Sequence, residues 1–190
     1  MKILKIFCIV LFIAGLIYVA IPVPSSVTVF PPLPTSTKSN LDGDTWQNPN
    51  LVAYLSDFRR GYITNFYKDY FTKIHIFGFI IPPVSLNHPP EYAYKYIRDQ
   101  QESTFLEEYV YPLRESLFVN GYDPLVEGIM IKGQLSFMSV HVMYKEQFFD
   151  TKTTIRYYPS NPIFRVLIYL GIWGLSIALW KLYSKAIKET

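Results

Sequence analysis

Two long apolar runs, one near each end of the chain, limit what the residues between them can be. Residues 6–21 and 163–182 are built almost wholly of aliphatic and aromatic side chains. From Val166 to Trp180 there is no charge, and Arg165 and Lys181 close the run. At ~1.5 Å per residue, about 20 helical residues cross the hydrocarbon layer, and flanking basic side chains can snorkel to its surface. Trp180 and Tyr183 fall at one interface and Tyr157 and Tyr158 near the other. A buried core helix is the competing reading. The unbroken length, flanked by charge and proline, counts against it. The pattern predicts two transmembrane helices around one domain. On the second, Gly171, Gly174 and Ala178 offer a small-residue face for helix packing.

A short basic start followed by an apolar run also describes a signal peptide. Cleavage after Ala20 would put Tyr18 where a small residue is needed, and cleavage after Ser25 would follow Pro24 closely. The run therefore reads as an uncleaved anchor. Lys2 and Lys5 precede it, while Lys181, Lys185 and Lys188 follow the second run in a basic tail, residues 183–190. Positive charge favours the cytoplasmic side, so both termini are expected in the cytoplasm and the middle outside it. The chain's net charge of +3 arises from these flanks. Residues 22–160 hold twelve Lys and Arg against fourteen Asp and Glu, which gives no basic face for nucleic acid. Cys8, the sole cysteine, lies inside the first run, so the domain has no disulfide and no cysteine nucleophile. No Asn-x-Ser/Thr acceptor occurs, which leans towards a bacterial cell membrane.

Pro22, Pro24, Pro31, Pro32 and Pro34 among Ser and Thr predict an extended tether over residues 22–46. A domain over residues 47–160 follows. Asn48-Pro49 resembles a helix start, and Tyr54, Phe58, Tyr62, Phe66 and Tyr70 recur at every fourth residue. This predicts one helix with an aromatic stripe, either an interaction face or a face of the core. Ile74–Ile81 reads as a buried strand stopped by Pro82-Pro83, and residues 84–90 as a loop. Pro90 and Glu91 open a second helix. Thr104 and Glu107 resemble a capping box for a third, with Leu106, Val110, Leu113 and Leu117 as its stripe and Pro112 as a kink. Asn120-Gly121 would cap it, and Asp123-Pro124 would turn the chain. Residues 128–132, 135–144 and 151–158 alternate like strands, with a hairpin loop at 145–150. Helices first and a mostly antiparallel sheet last make an α+β domain.

The residues offer little recognisable chemistry. Asn40, Asp42 and Asp44 are spaced like the start of a calcium loop, but Thr45 and Leu51 stand where glycine and glutamate are required. His75, His88 and His141 fit no metal-ligand signature. No nucleophile elbow, phosphate loop or dinucleotide motif occurs. Glu102, Glu107, Glu108 and Glu115 could suggest a pair of catalytic carboxylates, but solvation on one helix surface explains them equally. No cofactor or metal is therefore expected. The expected role is a non-enzymatic, membrane-anchored envelope protein, its partners being lipids and other membrane or envelope proteins or a second copy. The alternative is a glycan- or lipid-binding module.

Overall fold

The computed structural model describes residues 2–44, 50–96, 103–122, 129–131, 134–136 and 142–189. Asn48-Pro49, Glu102, Asp123-Pro124 and residues 137–141 of the strand expected over 135–144, His141 among them, lie outside them. The chain divides into two compact units, Met1–Val23 with Pro159–Thr190, and Pro24–Tyr158.

In chain order the helices are α1 (Lys2–Ala20), α2 (Arg60–Lys73), α3 (Ala93–Tyr96) and α4 (Pro162–Glu189). The strands are β1 (Thr37–Lys38), β2 (Leu51–Ser56), β3 (Val84–His88), β4 (Phe105–Tyr111) and β5 (Glu115–Gly121). They continue with β6 (Ile129–Ile131), β7 (Gln134–Ser136), β8 (Val142–Tyr144), β9 (Gln147–Phe149) and β10 (Thr151–Pro159). The result is an α+β fold.

α1 and α4 form the first unit, and both are long and apolar enough to cross a membrane. Asn161 caps α4 by accepting from the Ile163 amide at 2.9 Å, with Pro162 at the first helical position. The two helices meet through rings. Phe12 stacks on Tyr169 with centroids 5.9 Å apart and meets Trp173 edge-on at 5.4 Å. The Tyr169 hydroxyl donates to the Phe12 carbonyl at 3.0 Å. Gly15 makes room for this ring, because a Cβ there would lie 2.3 Å from the Tyr169 oxygen.

A six-stranded sheet in the order β1-β2-β10-β5-β4-β3 carries the second unit. The pairs β1/β2, β2/β10, β3/β4 and β4/β5 are antiparallel. α2 covers one face. Its buried residues Ile63, Tyr67 and Phe71 recur at every fourth position, the spacing that lines one side of a helix. They pack on Val52 and Tyr54 of β2, Ile155 and Tyr157 of β10, Leu117 and Val119 of β5, and Tyr109 and Tyr111 of β4. A smaller cluster of Leu51, Ala93, Leu106 and Phe118 forms apart from it, with Tyr158 against it.

Several expectations are corrected. The single aromatic helix does not exist: Leu51–Ser56 is a strand, and the helix begins only at Arg60. β2 lies between two strands and all six of its residues are buried, so Leu51–Leu55 lack the polar alternation that marks a half-exposed strand. The third helix is a β-hairpin. Pro112 stands in its turn, Leu113 takes φ 65°, and the Arg114 amide closes it on the Tyr111 carbonyl at 2.9 Å. Val84–His88, expected as a loop, is a strand, and Ile74–Ile81, expected as a buried strand, is a run of turns that exposes Ile76, Phe79, Ile80 and Ile81 while Ile74 and Phe77 pack on the core. Residues 145–150 divide into a two-residue turn and β9: Lys145 and Glu146 both have positive φ, as a tight hairpin requires. The second helix starts at the expected place, as a single tight turn over Pro90–Tyr92 leading into α3.

The proline-rich segment is also more than a tether. Val27, Phe30 and Leu33 are buried in the main cluster, and Thr37–Lys38 pairs with Leu55 and Tyr54. Phe30 meets Phe71 and Tyr157 at 6.2 and 5.4 Å. Proline removes donors the segment does not need, and apolar side chains between the prolines seal the helix–sheet seam. Phe30→Ala should therefore cost about 3–5 kcal/mol in denaturant unfolding of the full-length protein. Tyr67→Phe should be neutral or stabilising, because among the described residues its buried hydroxyl has no hydrogen-bond partner. A silent Phe30→Ala would restore the free-tether description.

Candidate functional site

The most buried carboxylate among the described residues is that of Glu115, at the start of β5. The turn before β5 brings in Arg114, whose Nε lies 3.2 Å from Glu115 Oε1. Tyr157 of β10 donates its hydroxyl to Oε2 at 2.6 Å. Just past the end of α2, His75 turns inward and places Nε2 2.8 Å from Oε1, while its Nδ1 faces the Phe71 carbonyl. Each ring nitrogen of His75 thus faces an oxygen. The Arg114 guanidinium also lies over the Phe77 ring, 4.6 Å from its centroid.

Burial alone would raise the Glu115 pKa. The hydrogen bonds from His75 and Tyr157, with the favourable electrostatics of His75 and Arg114, outweigh it and leave the carboxyl below its ordinary 4.5. His75, Arg114, Glu115 and Tyr157 are all nearly fully buried. They tie the end of α2, the β4–β5 turn and β10 to one point.

A second polar group lies where α2 approaches β3 and β4. Arg60 reaches Glu107 Oε1 through Nε and Nη2 at 3.1 and 2.9 Å, and Asn87 Oδ1 at 3.1 Å. The Tyr109 hydroxyl sits between Glu107 Oε2 at 2.7 Å and the Thr64 carbonyl at 3.0 Å. Burial, then the Glu107 carboxylate, pushes the Tyr109 pKa up, so it stays a donor. On the opposite side of β4, His88 pairs with Glu108 at 2.8 Å. An open cleft of about 310 Å³ lies here, lined by Arg60, Asn87, His88, Pro89, Pro90, Thr104 and Phe105.

Beside that cleft, β3 ends the sheet, and among the described residues no strand lies on its outer side. Val84, Ser85, Leu86 and Asn87 are all exposed, and none is charged. Pro82-Pro83 and Pro89-Pro90 bracket the strand. An uncharged outer row of backbone N–H and C=O groups is a template for another strand.

The residues singled out from sequence fall apart spatially. Tyr54 is buried in β2, and Tyr70 packs partly buried against Phe30. Phe58, Tyr62 and Phe66 do form one stack, with centroids 4.2 and 6.3 Å apart and Tyr62 half exposed. Gly171 and Gly174 have nothing within 4 Å of where a Cβ would stand, and Ala178 is exposed. The contact between α1 and α4 instead uses Phe12, Gly15, Tyr169 and Trp173. Asp44 takes the Ser39 hydroxyl at 2.5 Å and the Lys152 ammonium at 2.8 Å. No group of three or more metal-ligating side chains occurs among the described residues. No sequence signal marks Arg114, which stands in a turn where the pattern predicts helix, and Tyr157, expected at a membrane interface, is buried on β10.

Comparison with protein-family models, curated proteins and solved structures finds no match.

The Glu115 network makes an acid-sensitive clamp. A carboxyl whose folded pKa is lowered stabilises the fold above its unfolded value and loses that contribution as pH falls through the folded one. Stability of the full-length protein should therefore decline below pH 4.5. Glu115→Gln should lose part of that acid limb and cost about 3 kcal/mol at neutral pH, because it leaves Arg114 and His75 buried without their carboxylate. An unchanged acid limb in urea titrations of the variant would contradict this.

Proposed function

We propose that the protein is a membrane-anchored, non-catalytic interaction module that takes an extended segment of another protein along the outer edge of β3. One observation carries this reading: a bare, uncharged edge strand at the end of a sheet whose opposite edge is the two-residue β1. Globular domains usually blunt such an edge with charge or cover it, because it adds strands readily. Main-chain hydrogen bonds would supply affinity, and the neighbouring cleft at Asn87, His88 and Phe105 would select a side chain. The enclosure of His75 and Glu115 supports a binding role over an acid–base one.

The membrane anchors are α1 and α4. Lys2 and Lys5 before the first, with Lys181, Lys185 and Lys188 at the end of the second, favour cytoplasmic termini. The unit Pro24–Tyr158 then lies on the other side, in a bacterial envelope, where its partner is another envelope or membrane protein.

A photo-crosslinking residue at Ser85 of the full-length protein in native membranes should give one saturable adduct. Leu86→Lys should abolish it, since lysine on an edge opposes strand addition, while Asn65→Lys on the exposed side of α2 should not. An adduct that survives Leu86→Lys, or a smear of weak ones, would sink the proposal. A second reading, a glycan- or lipid-binding cleft, rests on the same lining residues. A raised melting temperature with sugar fragments or lipids and no Ser85 adduct would favour it.

A further inference from the structure

The turns between α2 and β3 carry a different surface. Ile76, Phe79, Ile80 and Ile81 are 77%, 83%, 68% and 48% exposed on one short loop. We propose that this loop, Ile76–Ile81, inserts its side chains into the surface layer of a lipid bilayer.

The loop is held in place from within. His75 bonds to Glu115 and to the Phe71 carbonyl, which draws the only polar side chain of residues 74–84 inward. Phe77 packs edge-on against Tyr111 at 5.1 Å and under the Arg114 guanidinium. Gly78 lies so close to the end of α2 that a Cβ there would stand 2.0 Å from the Thr72 carbonyl oxygen. The exposed side chains are therefore presented on a fixed base.

Chemistry selects lipid as the occupant. From Ile76 to Val84 no side chain can donate or accept a hydrogen bond, and from Ile74 to Pro90 no Lys, Arg, Asp or Glu occurs. A protein interface normally carries about one hydrogen bond per 100–200 Å², and this loop has no side chain to make one. Hydrocarbon instead demands that backbone polar groups be satisfied internally. The loop meets that demand in part. The amides of His75, Gly78, Ile80 and Ile81 donate to the carbonyls of Thr72, His75, Phe77 and Phe77 at 2.9–3.2 Å. Pro82 and Pro83 have no amide hydrogen to satisfy. Lys73, exposed at the base, suits an anionic headgroup. A chain with two helices apolar enough to cross a membrane has a bilayer at hand. Neither the β3 edge nor its cleft enters this inference, so each proposal can fail alone.

The test uses the full-length protein with Cys8→Ser and a single new cysteine, Phe79→Cys, carrying an environment-sensitive fluorophore. It is reconstituted into phosphatidylcholine–phosphatidylglycerol vesicles. Insertion to roughly 5–10 Å predicts blue-shifted emission and protection from iodide. Quenching by a shallow nitroxide-bearing lipid should be several-fold stronger than for a probe at Asn65→Cys. Adding Ile80→Asp should return the probe to water. Iodide quenching without nitroxide quenching would overturn the proposal. So would a blue shift without nitroxide quenching, because the loop would then lie in a protein contact such as a second copy.

Discussion

A buried carboxylate is tolerated only where its charge is met, and in this protein that constraint falls on Glu115. The groups that meet it come from separate parts of the chain: His75 beyond the end of α2, Arg114 in the β4–β5 turn, and Tyr157 on β10. Satisfying one group thus fixes a helix end, a hairpin and the last strand to a common point. Apolar burial supplies the larger driving force, through Ile63, Tyr67 and Phe71 against the sheet, but it is non-directional. The hydrogen-bonded carboxylate is directional, and it registers the helix along the strands.

The parts legible in the sequence are those whose pattern has one physical meaning. The uncharged run Val166–Trp180 inside α4 has few alternatives, and β10 alternates clearly enough to be read as a strand. The middle was misread where two periods coincide. Leu106, Val110, Leu113 and Leu117 fit a helical stripe, yet Phe105, Tyr109 and Tyr111 are buried on one face of β4 and Leu117 and Val119 beside them on β5. Pro112 fits a kink or a turn equally well. At Tyr54 and Phe58 the fourfold aromatic spacing continues past the true start of the helix, and inside it the buried residues are offset by one from the conspicuous tyrosines. The candidate site was harder still. Its carboxylates were visible, but burial distinguishes Glu115 from its neighbours, and burial depends on strand pairing that the sequence does not state.

The same offset bears on function. On α2 the core takes Ile63, Tyr67 and Phe71, which leaves Phe58, Tyr62 and Phe66 stacked at the surface. Tyr62 there is half exposed and its neighbours less so, which is unexceptional for a surface aromatic. An exposed tyrosine costs little because its hydroxyl stays wet. It therefore argues weakly for a partner. An edge strand argues more strongly, because its outer backbone groups invite another strand and Val84–Asn87 carry no charged side chain to oppose it.

Charge distribution carries the argument one step further. Large exposed apolar side chains are densest on α1, on α4 and on the loop Ile76–Ile81. Residues 6–21 of the first apolar run, residues 166–180 of the second and the loop itself carry no Lys, Arg, Asp or Glu. A loop facing water gains from a charged residue at almost any position and loses nothing by it. A loop facing hydrocarbon pays several kcal/mol for each one, on the order of 2.5–3.5 kcal/mol at a bilayer centre and less near its surface. A loop that is exposed, ordered at its base and free of charge thus has the composition of the two candidate spans and not that of the domain that bears it.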